Sequence, residues 1–479
     1  MIRRVLMALL LAGAVACGVA AAVAPDDVAQ AGAPVPAAAT AAWSPRRVPQ
    51  PFVDAVGASR LQRDLDAAFG STDGCFEVLT AAGPAASRQA DVPYIGASTQ
   101  KLLTGAGVLA VLGPDTTLTT RVLASDDPAD GSVDRLVLVG GGDPLLSTAE
   151  FRAALESDPR TAGTPSTSLE ALADLVAGKG VRSVGAITVV DDRYDTERYN
   201  PAWSPSYRTE GQVGPVGALT VNRGFSRFTR PVVPVDDPAV FTGNELARLL
   251  RARGVTIGGT AQRGRVHDAA IEVAAVASAP VKDLVAEVLR ASDNLASEML
   301  VKEVGVRVAK QGTTAAGLAA VSTKLTELGV PMEGVHLVDG SGLSRDNRVT
   351  CRAVAGSIDL GARPELAALW DGMAVAGQTG TLADELLGTG LEGRLRGKTG
   401  FLNGVTGLAG LVDVGRPLRF AVIVNGGFGE GEAVRIRGRL AQIVATFPQA
   451  PPADALVPGP RVGAPPSTAP PPTGRVPAP

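Results

Sequence analysis

A serine and a lysine one helical turn apart, Ser98 and Lys101, are the residues of this sequence best placed to do covalent chemistry. The apolar run 102–112, which stops at Gly113 and Pro114, predicts a helix that begins near Ser98, so both side chains would share one face. A serine hydroxyl is a weak nucleophile at neutral pH, but a neutral lysine amine beside it can take its proton. Backbone N–H groups at the start of the helix could stabilise an oxyanion. The pair therefore predicts a serine nucleophile with a lysine base.

The same pattern has a structural explanation, because a serine before an apolar run is most often a helix N-cap. Two later motifs favour chemistry. Ser292-Asp293-Asn294 lies at a predicted turn between helical segments and presents hydroxyl and amide groups. Lys398-Thr399-Gly400 lies on a predicted strand, where Lys398 and Thr399 would point to opposite faces and Gly400 would let a ligand backbone approach closely. Each motif alone is weak, but the three in this order are a strong signal for an active-serine site.

The elements that must position these motifs predict an α+β fold, with an antiparallel sheet flanked by helices. Strands are predicted at 75–80, 393–399, 406–413 and 418–425, and helices at 61–69, 281–289, 295–308 and 432–447. Between the first two motifs, strands at 135–139 and 184–190 enclose a helix at 168–176 that Ser168 caps. This alternation indicates a separate α/β insertion.

Composition excludes several classes of function. The net charge is −3 and the arginines are dispersed, so the basic surface of a nucleic-acid-binding protein is missing. The two histidines, His267 and His336, and the lack of Gly-x-Ser-x-Gly around any serine argue against a Ser-His-Asp triad or a zinc site. We therefore expect an enzyme that uses no metal and no cofactor and does not bind nucleic acid.

The termini read as targeting and linker sequence. Arg3 and Arg4 precede an apolar run, so residues 1–24 are predicted to be a signal peptide or a membrane anchor. Residues 25–48 form an Ala/Pro-rich linker, and residues 449–479 form a Pro-rich tail that cannot bury a core. Beyond Cys17, which lies in the targeting segment, Cys75 and Cys351 are either a disulfide or two separate buried thiols.

The three motifs, taken together, resemble those of the low-molecular-mass class C penicillin-binding proteins, which are exported D-alanyl-D-alanine carboxypeptidases and endopeptidases. The resemblance covers roughly residues 50–448 and includes four further stretches: 138–144, 179–181 leading into 189–192, 339–344 and 377–382. It implies a penicillin-binding/β-lactamase-like transpeptidase domain at 49–120 and 271–448, interrupted by an inserted accessory domain at 121–270. A class A β-lactamase has its motifs much closer together.

The resemblance also implies the catalytic roles. Ser98 would be the acylated nucleophile and Lys101 its base, while Ser292 would relay the proton to the leaving amine. Water would then hydrolyse the acyl-enzyme.

The remaining motif residues would bind substrate. Asn294 would hold the substrate amide, and Lys398 and Thr399 would hold the terminal carboxylate beside Gly400. The oxyanion would be bound by the backbone N–H groups of Ser98 and Phe401. Related motifs usually continue with Thr or Ser where this chain has Phe401, so a hydroxyl near the carboxylate is lost.

The expected substrates are peptidoglycan stem peptides, with β-lactam antibiotics as covalent inhibitors, in the cell envelope. Two alternatives stay open: a β-lactamase or esterase of the same superfamily, and a cell-wall-binding scaffold without activity, which Phe401 alone favours. The motifs do not separate carboxypeptidase from endopeptidase activity, since the two differ only in the leaving group.

Overall fold

A computed structural model describes residues 50–266 and 270–448 of the protein. The predicted targeting segment, linker and tail, together with His267, lie outside the described residues. Within these ranges no helix has both the length and the apolar character needed to cross a membrane.

The helices are α1 (Gln50–Phe69), α2 (Lys101–Leu112), α3 (Ala149–Glu156), α4 (Leu169–Gly178), α5 (Ser206–Thr209), α6 (Pro238–Arg251), α7 (Val281–Arg290), α8 (Asn294–Ala309), α9 (Thr314–Glu327), α10 (Cys351–Asp359), α11 (Ala368–Asp371) and α12 (Glu430–Val444). The strands are β1 (Asp73–Thr80), β2 (Gly83–Arg88), β3 (Thr119–Ala124), β4 (Ser132–Val139), β5 (Leu146–Ser147), β6 (Thr167–Ser168), β7 (Ser183–Val190), β8 (Phe225–Arg227), β9 (Val233–Pro234), β10 (Thr256–Ile257), β11 (Gln262–Arg263), β12 (Ile271–Ala277), β13 (Ala374–Val375), β14 (Leu395–Leu402), β15 (Val405–Asp413) and β16 (Pro417–Asn425). Every helix and strand predicted from the sequence is present, with ends that differ by a few residues except at the start of α1, which begins at Gln50 and not at residue 61.

An antiparallel sheet in the order β13-β14-β15-β16-β1-β2 forms the centre of the fold. Because side chains alternate along a strand, β16 serves two cores at once. Phe420 and Val422 pack with α1 and α12, whereas Ala421 and Ile423 pack with the helices on the other face. This confirms the predicted α+β arrangement of a sheet flanked by helices.

The helix that follows Ser98 is buried on all sides. Most residues of α2 are apolar and inaccessible to solvent, and they pack against residues of α7, α8, α9 and α10. A helix without a polar face must sit inside the domain, so α2 is a rigid support for the residues at its start.

A second sheet lies within the stretch that separates the first two motifs. Its order is β10-β7-β4-β3-β12, with β11 also paired to β7, and α4 and α6 cover one face with an apolar core. The pairing of β12 with β3 extends this sheet from Thr119 to Ala277, somewhat beyond the predicted bounds 121–270. β12 was not among the strands predicted from the sequence.

Cys75 on β1 and Cys351 at the start of α10 form a disulfide, which resolves the alternative that the sequence left open. The bond joins residues separated by 276 positions and lies in the buried core. A cross-link that closes so long a loop removes much conformational freedom from the unfolded chain.

We expect the double variant Cys75→Ser/Cys351→Ser to lower the free energy of unfolding by about 2–5 kcal/mol. Urea denaturation of the oxidised wild type, the reduced wild type and the variant measures the effect. Reduction of the wild type serves as the matched control, since it breaks the bond without changing the sequence. Equal urea midpoints for all three proteins would contradict the prediction.

Candidate active site

Ser98 lies in a 3-10 turn, Ala97–Gln100, that leads directly into α2. Ala97 has a left-handed backbone with φ of 46°, and the Thr99 hydroxyl donates to the carbonyl of Gly96 at 2.6 Å. Gly342 faces the same turn, where an added Cβ would lie 2.1 Å from the Ala97 carbonyl oxygen. The turn is thus clamped on both sides and holds the half-buried Ser98 side chain at the start of a buried helix.

The amine of Lys101 is the centre of the site. Its Nζ lies 2.8 Å from Ser98 Oγ, 2.7 Å from Asn294 Oδ1 and 2.6 Å from the Ser341 carbonyl oxygen. The structure therefore brings Asn294, which is 193 positions from Lys101 in sequence, into direct contact with the pair Ser98 and Lys101.

Two of these three partners can only accept a hydrogen bond. The Ser341 group is a carbonyl, and Asn294 presents its oxygen because its Nδ2 donates to the Gln212 carbonyl at 2.8 Å. The protonated amine has three N–H groups and donates to all three partners, including Ser98 Oγ. A neutral amine has two N–H groups, and when these serve the two acceptors its lone pair is left for the hydroxyl of Ser98. This is the geometry that a base needs to accept the serine proton.

Burial adjusts the protonation of Lys101. The side chain is inaccessible to solvent, and burial lowers the pKa of its amine from 10.5 to about 8, against the opposing charges of Asp339, Glu298 and Asp293. A large fraction of the amine is therefore neutral at mildly alkaline pH, so Lys101 can act as a base there.

Two buried carboxylates, Glu298 and Asp339, act on Lys101 through their charge. The sequence predicted no role for either, although Asp339 lies in the stretch 339–344. Glu298 on α8 accepts hydrogen bonds from the backbone N–H groups of Gly340 and Ser341. Asp339 accepts from the N–H groups of Gly342 and Ser344, among other donors. Burial and the charge of Asp339 raise the pKa of Glu298 to about 7. These carboxylates hold the loop that supplies the Ser341 carbonyl.

The Ser292-Asp293-Asn294 motif lies at the start of α8, as the sequence predicted. Asp293 caps the helix by accepting from the backbone N–H of Ala296 at 2.9 Å. Ser292 has a left-handed backbone with φ of 62°, and its hydroxyl has no hydrogen-bond partner within the described ranges. Asn294 is thus fixed by Lys101 and Gln212, whereas the hydroxyl of Ser292 is free to turn.

Lys398 is buried on β14 next to the site. It donates to the Thr399 carbonyl at 2.8 Å, and burial, together with the charges of Lys101 and Arg437, lowers its pKa well below the usual value. Arg437 also forms an ion pair with Glu385. A positive charge on Lys101 therefore disfavours a positive charge on Lys398.

The other residues of this motif have different neighbours. Thr399 shares a hydrogen bond of 2.9 Å with the hydroxyl of Thr381, a residue whose role the motif did not reveal. Gly400 packs closely against the backbone of Gly96, where the sequence predicted a ligand backbone. An added Cβ at Gly400 would lie 2.8 Å from the Gly96 carbonyl oxygen. Phe401 is half-buried and pairs with Thr406 of β15. β13 covers β14 only as far as Gly397, so residues 398–402 are an edge that a substrate chain can follow.

The loop 194–207, which follows β7 and is rich in aromatic residues, packs against the residues around Lys101. The indole N–H of Trp203 donates to Asp339 Oδ2 at 2.8 Å, and Gln212 from the same region contacts Asn294. Trp203 itself is buried, so it pins the loop in place.

A serine and a lysine that are paired beside an antiparallel sheet are the arrangement expected of a serine-type peptidase of the penicillin-binding class. The chain belongs to the D-Ala-D-Ala carboxypeptidase 3 (S13) family, which matches residues 66–230 and 225–447. It is therefore a serine-type D-Ala-D-Ala carboxypeptidase, a hydrolase, and the family resemblance inferred from the three motifs is confirmed.

Two individual relatives of the chain are also carboxypeptidases. The D-alanyl-D-alanine carboxypeptidase of Actinomadura sp. strain R39 is 31% identical over 466 residues, which cover 78% of this chain and 83% of that protein. A carboxypeptidase of Mycobacterium tuberculosis is 32% identical over 357 residues, covering 70% of this chain and 72% of that one. The crystal structure of penicillin-binding protein 4 from Haemophilus influenzae has a TM-score of 0.66 at 19% identity, over 80% of this chain and 97% of that chain. The last similarity confirms the predicted fold.

Proposed function

We propose that the protein cleaves the peptide bond that follows a D-alanine in peptidoglycan stem peptides, with Ser98 as the nucleophile. The observation that carries this proposal is the orientation of Lys101. Its amine lies 2.8 Å from Ser98 Oγ and within 2.7 Å of two groups that can only accept, so once neutral it can serve both acceptors with N–H groups and take the serine proton on its lone pair.

The first half of the reaction is acylation. Ser98 Oγ attacks the carbonyl carbon of the penultimate D-alanine as its proton moves to Lys101. The backbone N–H groups of Ser98 and Phe401 bind the oxyanion. A proton then reaches the leaving nitrogen through the hydroxyl of Ser292, the C–N bond breaks, and the terminal residue leaves as a free amine.

The second half is hydrolysis of the ester. Water attacks the acyl carbon and gives a proton to Lys101, the bond between carbon and Ser98 Oγ breaks, and the serine recovers a proton. No cofactor takes part in either step, since only proton transfers and nucleophilic attack are needed.

Substrate binding follows from the remaining motif residues. Asn294 holds the peptide amide, while Lys398 and Thr399 face the terminal carboxylate along the open edge of β14 beside Gly400. Thr381 shares a hydrogen bond with Thr399 and so keeps a second hydroxyl near the carboxylate, where related motifs use the residue at Phe401. β-Lactams acylate the same serine and act as covalent inhibitors.

The family activity supports a location in the cell envelope. We propose export through residues 1–24, with cleavage or retention as a membrane anchor. We also propose the domain division drawn from the sequence, in which the second sheet belongs to an accessory domain inserted into the peptidase domain.

The proposal is tested with a peptide that ends in D-Ala-D-Ala and with purified crosslinked peptidoglycan fragments. We expect stoichiometric release of D-alanine from the peptide, measured by chromatography, and inhibition by benzylpenicillin. Release of uncrosslinked fragments from the second substrate would add endopeptidase activity. Fast turnover of benzylpenicillin without release of D-alanine would favour a β-lactamase, and inertness toward all three compounds would favour a scaffold.

A further inference from the structure

An arginine of the predicted insertion reaches into the turn that carries Ser292 and Asn294. Arg223 lies on a short 3-10 turn, Asn222–Gly224, and its guanidinium contacts two carboxylates of the peptidase domain. Its Nη2 lies 2.9 Å from Glu287 Oε1 at the end of α7, and its Nε lies 2.7 Å from Asp293 Oδ2.

Arg223 is the ion-pair partner of Asp293, which also faces the charge of Lys101 at longer range. One carboxylate oxygen, Oδ1, is used to cap α8. The other, Oδ2, is buried and accepts no hydrogen bond within the described residues. It lies close to Arg223 Nε, but the N–H bond does not point at it, so the contact is an ion pair without a hydrogen bond. The carboxylate is 3% exposed, and a buried charge without a partner is strongly unfavourable.

The backbone on both sides of the contact is held in an uncommon conformation. Arg223 has φ of 54° and Ser292 has φ of 62°, and both are residues with a Cβ in the left-handed region. Such conformations persist when surrounding contacts impose them. The ion pair between Arg223 and Asp293 is a contact of this kind, because it ties the residue next to Ser292 to a fixed point on another segment.

We propose that Arg223 is a positioning residue for catalysis: through Asp293 it fixes the turn that presents Ser292 and Asn294 to Lys101. The inserted segment is then part of the catalytic apparatus through this contact. The inference rests on the proposed function, since it assigns to Arg223 the placement of groups used in that reaction.

Arg290 offers a matched control. It lies on α7, pairs with the same Glu287 at 2.7 Å, and also contacts the insertion through the Ala162 carbonyl, but no contact joins it to Asp293. Its side chain is 18% exposed, against 19% for Arg223. The variants Arg223→Met and Arg290→Met both keep an unbranched stem and both leave Glu287 with one arginine partner.

The measurement is the second-order rate constant for acylation by benzylpenicillin, with the final adduct stoichiometry determined by mass spectrometry. We expect Arg223→Met to slow acylation by about 10- to 100-fold while the adduct still reaches one per molecule, because misplaced catalytic groups lower the rate and leave the protein folded. Arg290→Met should stay within about twofold of wild type. A purely structural role would instead lower the stoichiometry and leave the rate of the competent fraction unchanged.

Two further variants complete the test. Arg223→Lys keeps a positive charge near Asp293 and should recover part of the lost rate. Asp293→Asn keeps the cap oxygen and removes the ion pair, so its effect should not add to that of Arg223→Met. Equal rates for Arg223→Met and Arg290→Met, or additive effects in the double variant, would overturn this inference alone. An unacylated wild-type protein would overturn the proposed function and the inference with it.

Discussion

Replacing Ser98 with alanine will abolish acylation by benzylpenicillin and the release of D-alanine. The wild-type protein should gain one penicilloyl group, and Ser98→Ala should gain none. Activity on the peptide should fall by at least about 10⁴-fold, because removal of a nucleophile leaves only substrate binding and oxyanion stabilisation. Intact-mass spectrometry measures the adduct, and a D-alanine assay measures the reaction.

The fold should survive this change. Ser98 is half-buried, and its only hydrogen bonds within the described residues are with Lys101 and, at 3.5 Å, the Ser341 carbonyl. Ser59→Ala on the exposed face of α1 is a matched control, since it removes the same hydroxyl from a helix far from the motifs in sequence. A penicilloyl adduct on Ser98→Ala with full activity would assign the nucleophile to another residue.

Much of the site could be predicted because its motifs are local. The spacing of three residues between Ser98 and Lys101 is about one turn of either an α-helix or the observed 3-10 turn, so both side chains share one face. The capping propensity of Asp293 fixes the start of α8 in the same way, and alternation fixes the strand that carries Lys398. In each case the neighbouring residues alone determine the local structure.

The groups that tune the site could not be predicted, because they meet only in the folded chain. Glu298 is buried within α8, and its position in the sequence gives no sign that it accepts a hydrogen bond from the backbone N–H of Ser341. Arg223 and Asp293 are far apart in sequence, and a dispersed arginine has no motif. The pairing of Cys75 with Cys351 likewise depends on how β1 and α10 pack. The resemblance to a family pointed to the residue types but did not supply these contacts.

Replacing Lys101 with methionine should remove the base and lower the acylation rate by about 10³-fold. In the wild type the rate should rise with pH up to about 8 and then level off, because burial lowers the pKa of Lys101 to about 8 and only the neutral amine accepts the serine proton. In Lys101→Met the residual rate should not follow this rise. Stopped-flow acylation by a chromogenic β-lactam between pH 6 and pH 10 measures both effects.

Lys302→Met is the matched control for Lys101→Met, because Lys302 is also a buried lysine but pairs with Asp195 outside the motifs. It should keep both the rate and the dependence on pH. A rise through pH 8 that persists in Lys101→Met would assign the titrating base to another group.

Stability provides an independent check on the protonation of Lys101. Its folded pKa is lowered from 10.5 to about 8, so between these values the unfolded chain binds a proton that the folded chain does not. The free energy of unfolding of the wild type therefore gains a contribution as pH rises from 8 to 10.5, on the order of 3 kcal/mol in total. Lys101→Met has no such contribution, so its stability relative to wild type should be greatest at or below pH 8 and should fall toward pH 10.5 in urea titrations. A difference that does not change with pH would mean that Lys101 keeps its ordinary pKa and is protonated at neutral pH, in which case it is not the base. The lysine is thus expected to weaken the fold at neutral pH by the same burial that makes it reactive.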